Sequence, residues 1–94
     1  MWNVIIVKAA KKDLWYLKQS RLLDRLKEIV EVLKENPFQP PYEKLVGNFA
    51  GFYSRRINIQ HRLVYSVDAT PFTSDGDAFQ GTVKIFACYQ HYHH

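Results

Sequence analysis

The sequence predicts an α+β fold, an antiparallel sheet with two N-terminal helices packed on one of its faces. Three observations carry this. A short β-branched run opens the chain, two stretches with apolar residues at helical spacing follow, and beyond Gly51 the apolar period drops to two. The resulting order is strand, helix, helix, three strands. Its natural arrangement layers both helices against one sheet face and leaves the other face half exposed, where a binding surface can form.

Each element has its own signal. Residues 2–7 (Trp-Asn-Val-Ile-Ile-Val) are short and β-branched and read as a buried strand. From Ala9 to Gln19, Leu14 and Leu17 share a helical face with Ala10 above them, while Lys11, Lys12 and Lys18 lie largely elsewhere. Ser20 is expected to cap a second helix, in which Leu22, Leu26, Ile29, Val30 and Leu33 recur at helical spacing. That helix should stop near Asn36, because Pro37 disfavours helical geometry in the residue before it. Residues 37–41 (Pro-Phe-Gln-Pro-Pro) then read as an extended connector. Phe52 to Ile59, His61 to Val67 and Thr82 to Tyr89 read as strands, the first two joined by a tight hairpin near Asn58 and Gln60. Asp68 to Gln80, with Pro71, Gly76 and three aspartates, reads as a long polar loop.

At 94 residues the chain suits one domain, spanning residues 1–94, and its 47% hydrophobic content is enough for a packed core. Apolar runs such as Val4 to Val7 are far too short to cross a membrane, and no charged-then-apolar leader opens the chain. A lone cysteine, Cys88, cannot form an internal disulfide. A cytoplasmic location with no membrane partner is therefore expected. The net charge of +4 fits an anionic partner such as nucleic acid or an acidic protein, and equally a plain soluble surface.

The densest cationic feature is Ser54 to Tyr65. Side chains alternate faces along a strand, so Arg55 and Arg56 point opposite ways, and Arg62 lies opposite Leu63, Tyr65 and Val67. Three arginines on neighbouring strands are costly to hold close without a carboxylate or phosphate, and the arginine fork matches phosphate oxygens. Solvation, or pairing with Glu43 and nearby acids, is the plainer reading, and it suits Arg55 best. His91 extends the alternation of Val83, Ile85, Ala87 and Tyr89, and can donate or accept a proton near neutral pH. Tyr92 beside it could stack on a base or bond a phosphate. His93 and His94 read as tail. A metal site from His91, His93 and His94 lacks a second ligand cluster.

No glycine-rich phosphate loop, Ser-His-Asp order or paired-cysteine motif is present. The chemistry these residues suit is acid–base cleavage of an RNA phosphodiester. It needs a base for the 2′-hydroxyl proton, cations to offset charge on the transition state, and an acid for the departing 5′-oxygen. No metal or cofactor is then required.

Several segments together resemble a known family. They are Glu43-Lys-Leu, the stretch from Asn48 through Gly51-Phe-Tyr-Ser-Arg-Arg to Ile57, the stretch His61-Arg-Leu-Val-Tyr65, and Ala87-Cys88 leading to His91-Tyr92. The chain resembles the YoeB (Txe) toxins of the RelE/ParE toxin–antitoxin superfamily over nearly its whole length. The resemblance implies a RelE-like fold and a ribosome-dependent mRNA endoribonuclease that cuts codons in the A site. It implies Glu43 as general base, Arg62 supporting the transition state, His91 as general acid and Tyr92 placing the substrate, with base and acid open to exchange. Arg55 and Arg56 fall near the RNA path, with Arg56 the nearer. Expected partners are the ribosome and mRNA, a YefM-like antitoxin (acidic, partly disordered, folding on binding) and a second copy in a homodimer. A hydrophobic groove beside the helices should receive an amphipathic antitoxin helix. The alternatives are a ParE-like gyrase inhibitor without catalysis, or a decayed antitoxin-binding partner. The loop 68–80 is roughly ten residues longer than the family turn, and the terminal His93 and His94 also depart from the family ending.

Overall fold

In chain order the elements are β1 (Asn3–Ile6), α1 (Lys11–Gln19), α2 (Leu23–Glu35), β2 (Glu43–Lys44), β3 (Phe52–Arg56), β4 (Arg62–Asp68), β5 (Phe72–Ser74), β6 (Asp77–Phe79) and β7 (Thr82–Ala87). This computed structural model describes residues 1–88. Five strands make the main sheet, in the order β1-β7-β4-β3-β2, and β5 and β6 form a separate two-stranded ribbon. The main sheet is mixed rather than wholly antiparallel, because β1 runs parallel to β7, with Val4 opposite Val83 and Ile6 opposite Ile85. A parallel pair needs a long crossover, and here everything between the first and last strands supplies it.

Both helices cover one face. Leu17 from α1 and Leu26, Ile29 and Leu33 from α2 meet Leu63, Tyr65, Val83, Ile85 and Cys88 in one buried cluster. The odd-numbered positions of β4 and β7 supply the sheet side, as an alternating strand should. At about 25 cal/mol per Å² of apolar surface removed from water, each such leucine or isoleucine contributes roughly 1.5–3 kcal/mol.

Ser20 does not cap the second helix. It ends α1, and the next two amides fold back: Arg21 N donates to the Lys18 carbonyl (3.1 Å) and Leu22 N to the Leu17 carbonyl (2.8 Å). With Arg21 at φ 60°, this is a Schellman closure. It uses up the residues that a serine cap would need, and Leu22 becomes the N-cap of α2 without a side-chain bond. The stop before Pro37 is as expected, with Asn36 extended. The connector turns rather than running straight, since Asn36 Oδ1 accepts from Phe38 N at 2.9 Å.

The expected strand Phe52 to Ile59 ends sooner, at Arg56, because Asn58 Oδ1 accepts from the amides of Gln60 (2.9 Å) and His61 (2.7 Å) and closes the turn. The segment Asp68 to Gln80 is not a structureless loop. Asp75 and Gly76 both take positive φ, 51° and 84°, the signature of a type I′ hairpin turn. Phe72 and Phe79 stack across the ribbon at 5.0 Å.

The pairing of β4 with β7 has one irregularity. Val64 pairs with Ala87 and Tyr65 with Ile85, so two steps on β7 match one on β4. Phe86 is the extra residue of a β-bulge. Ala87 is thereby moved off the face of Val83 and Ile85, so the alternation read through Ala87 toward His91 is broken. Tyr89 and His91 themselves lie outside the described residues.

Candidate active site on the bare sheet face

The sheet face turned away from the helices carries the charged residues. Register fixes this. Glu43 on the edge strand β2 stands opposite Ser54, Ser54 opposite Val64, and Arg56 opposite Arg62. Directly opposed residues share a face, so Glu43, Ser54, Arg56 and Arg62 converge on one patch. Arg62 is fixed there by three contacts. Its Nε and Nη2 donate to Ser54 Oγ at 3.2 and 3.0 Å, and Nη2 lies 3.2 Å from Glu43 Oε2. The Glu43 side chain is 67% exposed and that of Arg62 20%. An ion pair this wet adds at most about 1 kcal/mol to stability, so the pairing holds the two groups in place more than it holds the fold.

The other wall is built by the connector. Tyr65 Oη donates to the Pro37 carbonyl at 2.8 Å, and the Arg55 guanidinium donates to the Gln39 carbonyl. Burial pushes the Tyr65 phenol above its ordinary range, with Arg55 opposing, which keeps it a neutral donor. Phe38, Tyr42 and Tyr53 pack edge to face at 5.5–6.1 Å. These ties seat Pro41 and Tyr42 and so deliver Glu43 to the edge. The cleft, about 290 Å³, is lined by Pro41, Tyr42, Glu43, Ser54, Arg55, Arg56 and Arg62.

Arg55 therefore differs from its neighbours. It is 7% exposed, on the helix side with Leu63, and its fork is committed to the connector. Arg56 is exposed. His91 and Tyr92 lie outside the described residues, as does the His91, His93 and His94 cluster. Among the described residues no group of three or more His, Cys, Asp or Glu side chains is placed to hold a metal ion. Ser54 and the edge strand β2 escaped the sequence reading. Ser54 could have been found, since it shares the strand alternation of Arg56. A two-residue strand leaves no periodicity to read.

The arrangement can grip an anionic group with two guanidinium forks and present a carboxylate beside it. Fold and cleft together define a small α+β protein with an anion-binding cleft on one sheet face. A YoeB/ParE toxin from Agrobacterium tumefaciens shares the fold, with a TM-score of 0.77 at 23% identity over 96% of this chain and 99% of that one. A family model for the YoeB-like toxin of bacterial type II toxin–antitoxin systems matches residues 8–92. The chain belongs to that family. It is 35% identical to toxin YoeB of Escherichia coli O6:H1 (strain CFT073) over 80 residues, 83% of this chain and 82% of that protein. It is also similar to YoeB of Staphylococcus aureus. As a dimer that toxin has a TM-score of 0.72 at 31% identity, covering 97% of this chain and 98% of that one. In a YoeB–YefM complex the score is 0.70 at 32% identity, covering 98% and 99%. Among the described residues no helix is long and apolar enough to cross a membrane.

Proposed function

We propose that this toxin is a ribosome-dependent mRNA endoribonuclease that cuts in the A site by acid–base chemistry and halts translation. The observation that carries the reading is the Glu43 carboxylate held 3.2 Å from the Arg62 guanidinium, directly across from Arg56. In the free protein Glu43 and Arg62 hold each other. A phosphodiester entering the cleft competes for the Arg62 fork and frees a carboxylate oxygen at the place where a base is needed.

Glu43 takes the 2′-hydroxyl proton, the 2′-oxygen attacks phosphorus, and the bond to the 5′-oxygen breaks. His91 gives that oxygen a proton, and the products are a 2′,3′-cyclic phosphate and a 5′-hydroxyl. Arg56 and Arg62 offset the charge that builds on the equatorial oxygens, Ser54 orients Arg62, and Tyr92 places the substrate. Arg55 supports the cleft wall next to the RNA path. The step balances equally with Glu43 and His91 exchanged, and a pH–rate profile of the two single variants separates the assignments.

A YefM-like antitoxin is the proposed inhibitor, and a homodimer the proposed assembly. The S. aureus relative, solved in both states, supports each. An apolar groove of about 500 Å³, lined by Ile6, Leu14, Leu23, Leu26 and Val30, with Lys27 and the paired Glu31 and Lys34 at its rim, suits an amphipathic helix. Induction in cells followed by mapping of mRNA 5′ ends tests the function. Cuts clustered at A-site codons, absent for Glu43→Gln and His91→Ala, are expected. Intact mRNA with an SOS response points instead to gyrase, and normal growth to a protein that has lost its activity.

A further inference from the structure

The bare sheet face does not end at the arginines. Beyond Val64, Phe52 of β3 and Phe86 of β7 meet edge to face over β4 at 5.2 Å. Neither belongs to the core cluster nor packs against it, and Phe86 is 38% exposed. An aromatic pair on the open side of a sheet keeps apolar area in water, where a partner can cover it.

Register places Phe86 there. Ile85 pairs with Tyr65 and Ala87 with Val64, so Phe86 is the extra residue between them, on the bare face next to Val64. It stands two to three residue steps, roughly 7–10 Å, from Arg62 along β4. A cationic fork and an aromatic edge at that separation match the offset between a phosphate and a neighbouring base in one strand of RNA. Aromatic residues beside a basic track hold single strands by stacking, whatever the base.

We infer that Phe52 and Phe86 form a nucleobase-stacking subsite for the nucleotide adjoining the phosphate held by Arg56 and Arg62. This rests on the reading of the cleft as an RNA site. The subsite fixes one base beside the bond to be cut, and so sets where along the strand the phosphate settles.

The test uses the full chain carrying Glu43→Gln, so that RNA survives, and a short single-stranded oligoribonucleotide scanned with one abasic nucleotide at a time. Binding is followed by fluorescence anisotropy. Phe86→Ala should weaken the intact strand about tenfold. At one abasic position, and there only, it should cost almost nothing further. Phe86→Trp should restore binding, which separates stacking from a folding defect. Arg56→Ala should weaken intact and abasic strands alike. If Phe86→Ala leaves binding unchanged, or weakens every strand equally with no rescue by Trp, the subsite is wrong while the cleft stands. If no strand binds, either free or presented in the ribosomal A site, the RNA reading of the cleft falls and takes the subsite with it.

Discussion

Arg56 and Arg62 face each other directly across the β3–β4 pair. Like charges so placed destabilise a sheet by a few tenths of a kcal/mol or more, and among the described residues a single carboxylate, Glu43, pairs with either of them. Two cations and one anion leave an unbalanced positive charge on the bare face. That imbalance is what a substrate phosphate would neutralise, and it makes the contributions of the three side chains separable.

Glu43→Gln keeps the side-chain shape and removes the base. Single-turnover cleavage on ribosomes should slow by about 10²–10⁴-fold, with ribosome binding little changed. Arg62→Lys should not rescue Arg62→Ala, because an ammonium cannot bond Ser54 and a phosphate with the same fork. Equal rates for Arg62→Lys and the parent would remove Arg62 from the proposed chemistry.

Arg55→Ala and Arg56→Ala should part company. Arg56→Ala should lower the slope of log binding constant against log salt by about 0.7 for a single strand, at unchanged melting temperature. Arg55→Ala should lower the melting temperature, because the connector loses its donor at the Gln39 carbonyl, and leave the salt slope alone. Salt titration and calorimetry on the two variants check both halves.

Arg21 sits at φ 60° where helix endings prefer glycine. Arg21→Gly should relieve about 1 kcal/mol of backbone strain, less what glycine adds to the entropy of the unfolded chain. A small rise in urea midpoint is expected, against the usual sign of a glycine substitution. A fall would mean that the Schellman closure is not strained by its arginine.

Gly81 is needed for space rather than for φ. A β-carbon there would run into the Asp68 carbonyl oxygen and come within 2.6 Å of the Trp2 ring. Gly81→Ala should destabilise by about 1–3 kcal/mol or more, read as a lower urea midpoint. The cleft lies at the other end of β4, roughly 20 Å away, so cleavage by the folded fraction should be normal.

Cys88 carries a pH prediction. Burial pushes its thiol from 9.0 up to about 12, with the Asp13 carboxylate adding to the effect. Below pH 9 both folded and unfolded chains hold the proton, and stability is unaffected. Between pH 9 and about 12 the unfolded chain releases it while the folded chain keeps it, so stability falls as pH rises. Tyr65, also raised by burial, adds to the same slope above pH 10. Denaturant midpoints across this range should fall more steeply for the parent than for Cys88→Ala. Alkylation of the folded protein at pH 8 should be negligible.

Much of this molecule was legible before its structure. The helices could be read because Leu17, Leu26, Ile29 and Leu33 repeat at helical spacing, and the strands because Leu63, Tyr65, Val83 and Ile85 alternate. Arg62 could be assigned to the bare face for the same reason. What escaped was whatever depends on pairing. The parallel neighbour of β1 leaves no mark in its own residues. Ser20 resembles a cap, and only the closure at Leu17 and Lys18 disqualifies it. The Asp75-Gly76 turn was visible, but the polar residues around it hid the short strands. Glu43 was weighed as an ion-pair partner for the arginines, but its reading as a base came only through family resemblance, since a two-residue strand leaves no periodicity to place it.

The bulge at Phe86 gives β7 a change of phase. Before it, the wave of side chains is tuned to the helices. After it, Ala87 falls in step with Val64, while Cys88 returns to α1, its amide donating to Asp13 Oδ2 at 3.2 Å. Composition alone cannot encode this, because the register of the pairing carries the message. Many substitutions in β7 would leave that phase intact. A β7 paired straight through, with every residue kept, would put Phe86 opposite Val64, turn Ala87 and Cys88 through the sheet together, present a thiol to water and leave the Asp13 carboxylate without its amide. For this strand, pairing is the more fragile inheritance.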